Sequence, residues 1–501
     1  MVVSNSPKSA TRPRRRLVKL LALLRATVVG TLVTLAVLWW ALPVSTFDKV
    51  DFEQRLAIPP LARSQVDAEG RRVFELTAQR GTSELLPGEQ IESWGFNGAY
   101  LGPTLRASRG EEVAIKVTNE LDETTSVHWH GMHLPPDADG GPHQPVEPGG
   151  TWTPSWRIDQ PAATLWYHPH PHGETEDHVA RGLAGMFILD DPESTVAESL
   201  PHEYGVDDVP VIVQDKEFGG GEVQTGSLGG DLLVNGTYGP YLDVTTERVR
   251  LRVLNGSTKR VFDFGFSDNR AFTLIGTDGG LLPEGSRRDR LLLSPGERAE
   301  VVVDMTAGED VVLRSYAPDL ESDIVNERLG GGADQFDVLQ LRAADELRAS
   351  PAVPQVLAAE PDLDTEGAAT RMFVLRGREI NDKSMDMSRV DETVELNTTE
   401  VWEVRNADGE YHNFHVHDVQ FHVLDVNGRR PGAELSGWKD TIFMPPGLTV
   451  RLAMRFTDYA DAGTPYMYHC HLLQHEDNGM MGQFVVVEPD QQAGTPAHPD
   501  H

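Results

Sequence analysis

The chain has 501 residues, enough for three domains of ordinary size, and a formal net charge of −33, which argues against nucleic acid and anionic lipid as partners. A single cysteine excludes any internal disulfide, and no Cys-x-x-Cys or His-Glu-x-x-His motif marks an ordinary zinc site.

Basic residues crowd the N-terminus, with Arg12, Arg14, Arg15, Arg16, Lys19 and Arg25 inside the first 25 positions, and Ala26 to Phe47 carry no charge. Such a run is long enough to span a bilayer. The basic flank predicts a cytoplasmic segment over 1–25, a transmembrane signal-anchor over 26–47 and a body facing outward, into a periplasmic or extracellular space. Trp39 and Trp40 suit an interfacial belt. A cleaved signal peptide is the rival reading, although no small-x-small site follows the apolar stretch. Arg14-Arg15-Arg16-Leu17-Val18-Lys19 also looks like a twin-arginine export signal. The first 47 positions hold seven of the 44 basic residues and none of the 77 acids, so the body carries about −40. That charge either draws in cations or merely keeps the protein soluble.

From residue 48 onward the texture changes. Glycine and proline total 80 residues, and short runs such as EEVAIKVTNE, RVRLRVLNG and AEVVVDM recur between turn signals. This predicts an all-β chain of Greek-key sandwiches or barrels. Three such domains are expected at 48–200, 201–343 and 368–489. A linker rich in Pro and Ala separates the last two at 344–367, and a disordered tail follows at 490–501.

Fifteen of the 18 histidines fall in three blocks, 128–178, 412–422 and 469–475, and none lies between 203 and 411. The recurring unit is His-x-His: His128-Trp-His130, His168-Pro-His170, His415-Val-His417 and His469-Cys470-His471. On a strand, alternate side chains share a face, so each pair aims two imidazoles at one place. Eight imidazoles exceed one zinc site and suit several copper ions. Cys470, between His469 and His471, would point through to the opposite face, where His475 and Met480 lie within reach. Two imidazoles, a thiolate and a weak thioether are the ligand set of a blue-copper centre.

The segments SVHWHG (126–131), WYHPHPHG (166–173), HNFHVH (412–417) and HCHLLQHEDNGMM (469–481) resemble the four copper-binding motifs of multicopper oxidases in order, spacing and flanking residues. DADGGPHQPVEPGG, DDVPVIVQDK, TDGGLLPE and GWKDT extend the likeness toward three-domain bacterial laccases, bilirubin oxidases and cuprous oxidases, over about residues 50–490. The resemblance implies three cupredoxin-like domains and four copper ions. His412, Cys470 and His475, with Met480 axial, match the type 1 ligands. His128 and His415 match the type 2 ligands, and His130, His168, His170, His417, His469 and His471 those of the type 3 pair. A cell-division protein of the same fold has lost its copper ligands, whereas every ligand position is filled here.

The implied chemistry is one-electron oxidation of a donor at the type 1 copper, transfer through Cys470, and four-electron reduction of dioxygen to water. Asp139 and Glu476 are the acids placed for proton delivery, or for orienting histidines. His133, His143, His172, His178 and His422 are expected to be supporting or solvent-facing, and His202, His498 and His501 plain surface residues. The donor is open among phenols and other aromatic reductants, Cu(I), Fe(II) and Mn(II). The stretch 345–400 holds only Met372, Met385 and Met387 where the cuprous oxidase has a methionine-rich insertion. Of two substrate positions near the type 1 site, Asp408 agrees with that enzyme and Glu410 replaces a methionine; a carboxylate pair there favours Fe(II), Mn(II) or a phenol or amine proton. Two other classes stand against an oxidase. One is a copper-binding envelope protein without turnover. The other is a copper nitrite reductase, whose type 1 cysteine is not expected between two cluster-binding histidines.

Overall fold

The computed structural model describes residues 1, 21, 23–25, 27–36 and 43–496. They form two compact units, Met1–Ser45 and Thr46 onward. In the first, residues 27–36 are helical. Among the described residues no helix is long and apolar enough to cross a membrane. The expected anchor over 26–47 lies partly outside the described residues, as does the tail over 490–501, and the arginines of the expected export signal lie wholly outside them. Thr46 and Phe47, the end of that apolar run, belong to the second unit. The Thr46 amide donates to the Gln335 carbonyl at 3.0 Å, and the Phe47 ring stands edge-on to Tyr316 at 5.3 Å.

The second unit is built almost wholly of strands. Residues 105–190 give a four-stranded sheet in the order Leu105–Ser108, Gly185–Asp190, Ala163–His168, His128–His130. A long sheet runs from strands of this N-terminal block into Asp208–Gly219, Arg248–Asn255 and Arg298–Asp304 of the middle block. The seam is a single register pair, Glu222 with Glu92. A six-stranded sheet completes the middle block. The C-terminal block has one six-stranded sheet and a five-stranded one in the order Glu392–Glu395, Met481–Val487, Tyr466–His469, His412–Val416, Thr441–Met444.

The strands bearing histidine are covered on both faces. Every residue of His128–His130, Ala163–His168, His412–Val416 and Tyr466–His469 is buried, so burial does not alternate along these strands even where histidine does. Trp129, between its two histidines, points the other way and packs on Trp156 and Tyr167, with ring centroids at 5.6 and 6.0 Å. One hydrophobic cluster spans the N- and C-terminal blocks, from Phe74 and Trp129 to Trp402 and Phe484. The middle block is tied to the N-terminal one through Thr164, whose hydroxyl donates to Glu300 (2.6 Å) and accepts from Arg252 (2.8 Å). The expected linker begins as strand, because Phe336–Arg348 stays paired with Pro240–Thr246. Helices of this unit, Thr175–Arg181, Ile324–Leu329 and Leu473–Asp477, are all short.

Candidate metal centre

Eight imidazoles meet between the four-stranded and five-stranded sheets. Sheet register sets them in place. His128 pairs with His168 across one ladder and His415 with His469 across the other. Rings from the two blocks then interleave: His128 stacks on His417 with centroids 3.8 Å apart, and His130 on His415 at 3.7 Å. All eight are buried. Gly140 lets the Asp139 turn close against the first strand. Its φ is +78°, and a Cβ there would lie 1.7 Å from the Val127 carbonyl oxygen.

Contacts around the cluster divide most rings into an outer and an inner nitrogen. Nδ1 of His128 donates to the Asp139 carbonyl (2.9 Å), that of His168 to the Pro169 carbonyl (2.8 Å), and that of His415 to the Asp440 carbonyl (2.9 Å). His417 Nδ1 donates to the Asp139 carboxylate at 2.8 Å, while Nδ1 of His170 and of His469 lie 3.3 and 3.0 Å from Glu476. His130 is reversed, with Nε2 facing Asp440 at 3.1 Å. His471 Nδ1 has no hydrogen-bond partner.

The inner nitrogens converge on one another. His170 and His417 each bring Nε2 to 3.2 Å from His469 Nε2. His130 Nδ1 and His471 Nε2 each come to 3.4 Å from His168 Nε2. Nε2 of His128 and of His415 are buried without a partner. Burial, reinforced by the neighbouring imidazoles, pushes His130, His168, His415 and His417 well below the usual histidine range and His471 down to about 3. Burial also pushes His170 down to about 4. Neutral rings whose protons point outward turn lone pairs at each other, an arrangement that is unfavourable until cations sit between them. This donor set fits several imidazole-bound metal ions, with outer-shell acceptors already fixing the tautomers.

On the other side of the same strand end lies a second group. Cys470 Sγ is 3.7 Å from Nδ1 of both His412 and His475, and those two nitrogens are 3.2 Å apart. Met480 is buried in the same loop; its carbonyl accepts from the Cys470 amide (3.1 Å) and its amide donates to the His475 carbonyl (2.9 Å). Burial pushes the Cys470 thiol up to about 12, so without a metal it is an inert thiol, and metal binding must release its proton. The strand ends at His469; the imidazoles of His469 and His471 group with the eight-ring cluster, whereas the Cys470 sulfur groups with His412 and His475.

Carboxylates cover the outer nitrogens of this smaller site. Asp408 lies 3.4 Å from His412 Nε2 and Glu410 3.5 Å from His475 Nε2, with Arg378 3.1 Å from Glu410. The hydrogen bond from His412 holds Asp408 well below the usual carboxylate range. His475, 3.5 Å away, together with Arg378, holds Glu410 down to about 2. Both are partly exposed, so negative charge reaches the rim.

The histidines outside these groups do other work. His178 is a core residue, bonded to Thr125 (3.1 Å) and edge-on to Trp94. His133 bridges Asp418 (2.7 Å) and Asp458 (3.1 Å), and His143 pairs with Gln483 (2.8 Å). His172 and His202 are exposed, and His422 is partly buried. His498 and His501 lie outside the described residues. Asp440, Thr441 and Arg298, which support the cluster, were not singled out from the sequence. The only signal was the likeness of GWKDT to the family.

The fold and donor sets define a copper-binding protein of cupredoxin-like domains. Two family models, each described as multicopper oxidase, match residues 77–194 and 350–490. Multicopper oxidase mco of Staphylococcus haemolyticus is 35% identical over 448 residues, covering 87% of this chain and 93% of that protein. Cell division protein FtsP of Escherichia coli K12 is 36% identical over 451 residues, covering 87% and 93%. The solved laccase of Pediococcus acidilactici Pa5930 superposes with a TM-score of 0.79 at 36% identity, over 87% of this chain and 95% of that one. This chain belongs to the multicopper oxidase family, and membership implies copper, dioxygen and a reducing substrate.

Proposed function

We propose that the chain is an outward-facing oxidase that takes electrons one at a time from a donor beside Asp408 and Glu410 and delivers four of them to dioxygen. One type 1 copper would be held by His412, Cys470, His475 and Met480, one type 2 copper by His128 and His415, and a type 3 pair by the remaining six histidines. Copper, when bound, supplies the one-electron steps and the activation of dioxygen. The chain's part is to hold the donors apart, dry and in the right tautomer. Cys470 is joined by peptide bonds to both His469 and His471, so the two sites share one covalent connection. Asp139 and Glu476, buried against ring nitrogens, are placed to orient those rings and to pass the protons that dioxygen reduction consumes.

The observation that carries this reading is the complete donor set, with inner nitrogens turned on one another at 3.2–3.4 Å. The partly exposed carboxylate pair favours a metal cation, Fe(II) or Mn(II), and leaves phenols and amines open. Cu(I) is disfavoured, since of the three methionines in 345–400 only Met372 is well exposed. A retained anchor over 26–47, three domains at 48–200, 201–343 and 368–489, and placement in the cell envelope belong to the same proposal.

Similarity to FtsP favours a second reading, a copper-binding envelope protein without turnover. The test is dioxygen uptake by the copper-loaded protein with a phenol, a bilirubin-type donor, Cu(I) and Fe(II), beside Cys470→Ser. Uptake that vanishes in the variant supports the oxidase. Full copper loading with no uptake from any donor would leave the second reading.

A further inference from the structure

The middle block holds none of the donors, yet it sends one side chain to the cluster. Arg298, at the start of Arg298–Asp304, is buried and donates every N–H it has. Nη1 and Nη2 fork onto Asp440 at 2.7 and 2.6 Å, Nε goes to the Thr164 carbonyl (2.9 Å), and the two Nη atoms also reach the carbonyls of Gly296 (3.0 Å) and Asp278 (3.1 Å). A fork of this kind fixes a carboxylate in position and plane, which an ammonium cannot do.

Asp440 so held meets three groups of the cluster's surroundings. Its Oδ1 faces His130 Nε2 at 3.1 Å, its backbone carbonyl accepts from His415 Nδ1, and it takes the Thr441 hydroxyl proton at 2.9 Å. With its proton committed, Thr441 Oγ1 can only accept, and it lies 3.1 Å from both His130 Nε2 and His415 Nδ1. His130 is also the only one of the eight rings with Nδ1 turned inward, and Asp440 and Thr441 meet its outward Nε2. Gly131 makes the approach possible. Its φ is +84°, and a Cβ there would stand 2.5 Å from Asp440 Oδ2 and 2.7 Å from Arg298 Nη2.

Resting on the oxidase reading, we propose that Arg298, Asp440 and Thr441 are positioning residues of the trinuclear copper cluster: they lock His130 in the tautomer that turns Nδ1 inward and hold the plane of His415. The middle block thereby sets the geometry of a site to which it gives no ligand. A purely structural alternative is that Arg298 only fastens three blocks together, in company with the neighbouring Lys439, Asp278 and Glu297.

Thr441→Val keeps the side chain's shape and removes the acceptor, while Thr441→Ser keeps the acceptor; Asp440→Asn and Arg298→Lys probe the fork. Copper affinity by chelator competition, the copper electron paramagnetic resonance spectrum and the melting temperature of the copper-free protein are measured for each. The expected result is a fall of about 10- to 100-fold in cluster copper affinity for Thr441→Val, with an altered type 2 signal, an unchanged type 1 absorption band and restoration in Thr441→Ser. Should Asp440→Asn or Arg298→Lys fail to fold, the Thr441 pair decides. Variants that lose melting temperature but load copper with wild-type affinity and an unchanged spectrum would overturn the proposal. Wild-type protein that loads no copper at the eight histidines would overturn this inference and the oxidase reading together.

Discussion

At the residue scale, single side chains are tuned by what touches them. His133 shows it outside the metal site. Burial alone would lower it, but Asp418 and Asp458 more than offset that and raise it to about 9. A histidine whose folded value lies above its unfolded one adds stability that is whole below about 6.5 and lost as pH rises through about 9, up to about 3 kcal/mol here. Thermal unfolding of wild type and His133→Gln across that window should therefore show a gap that closes with rising pH; a gap independent of pH would refute the assignment. Glu410 is the matching case at the rim. Glu410→Gln is expected to lower kcat/KM for a divalent metal donor about tenfold, near 1.4 kcal/mol, and to leave a neutral phenol almost unaffected. Equal losses for both donors would show that the carboxylate acts on His475 and not on the substrate. The proposed donors were legible in the sequence because His-x-His spacing and a lone cysteine between histidines are local patterns, with His412 marked only by the family resemblance. Arg298 and Asp440 could not, being 142 residues apart, nor could His133 and Asp418, at 285.

Among the elements, the histidine strands work because each has two buried faces. One face carries ligands of the eight-histidine cluster and the other carries Trp129, Phe414 or Tyr468 into the core. This division was legible, since period-2 alternation follows from the strand itself. What was not legible is how strands of different blocks join, as in the Glu222–Glu92 seam and the long strand Phe336–Arg348, which runs into the expected linker. Such pairing depends on partners distant in sequence, and Pro- and Ala-rich composition carries no mark of them. Turn geometry is the sharper constraint. Gly140→Ala would force a side chain into the left-handed region and against the Val127 carbonyl, which should cost several kcal/mol. A copper-free melting temperature within a degree or two of wild type would contradict that.

Across the whole molecule, copper and charge act on all three blocks. The cluster's histidines come from 128–170 at one end and 412–471 at the other, so bound metal would fasten the N- and C-terminal blocks together in addition to their shared core. Binding to the folded state alone stabilises it by about 4 kcal/mol at a thousandfold excess over Kd, so chelation should lower the melting temperature by several degrees. A net charge of −33 should also make cationic donors react faster at low ionic strength, an effect absent for neutral ones. The central claim is that two sites, joined through Cys470, pass electrons from a donor to dioxygen. Its most direct test is anaerobic reductive titration of the copper-loaded protein, followed by admission of dioxygen, for wild type and Cys470→Ser. Wild type is predicted to take up four electrons per chain and return them rapidly to dioxygen, while the variant fills its cluster slowly. A wild type that accepts one electron, at the mononuclear site alone, and is not reoxidised by dioxygen would contradict the account.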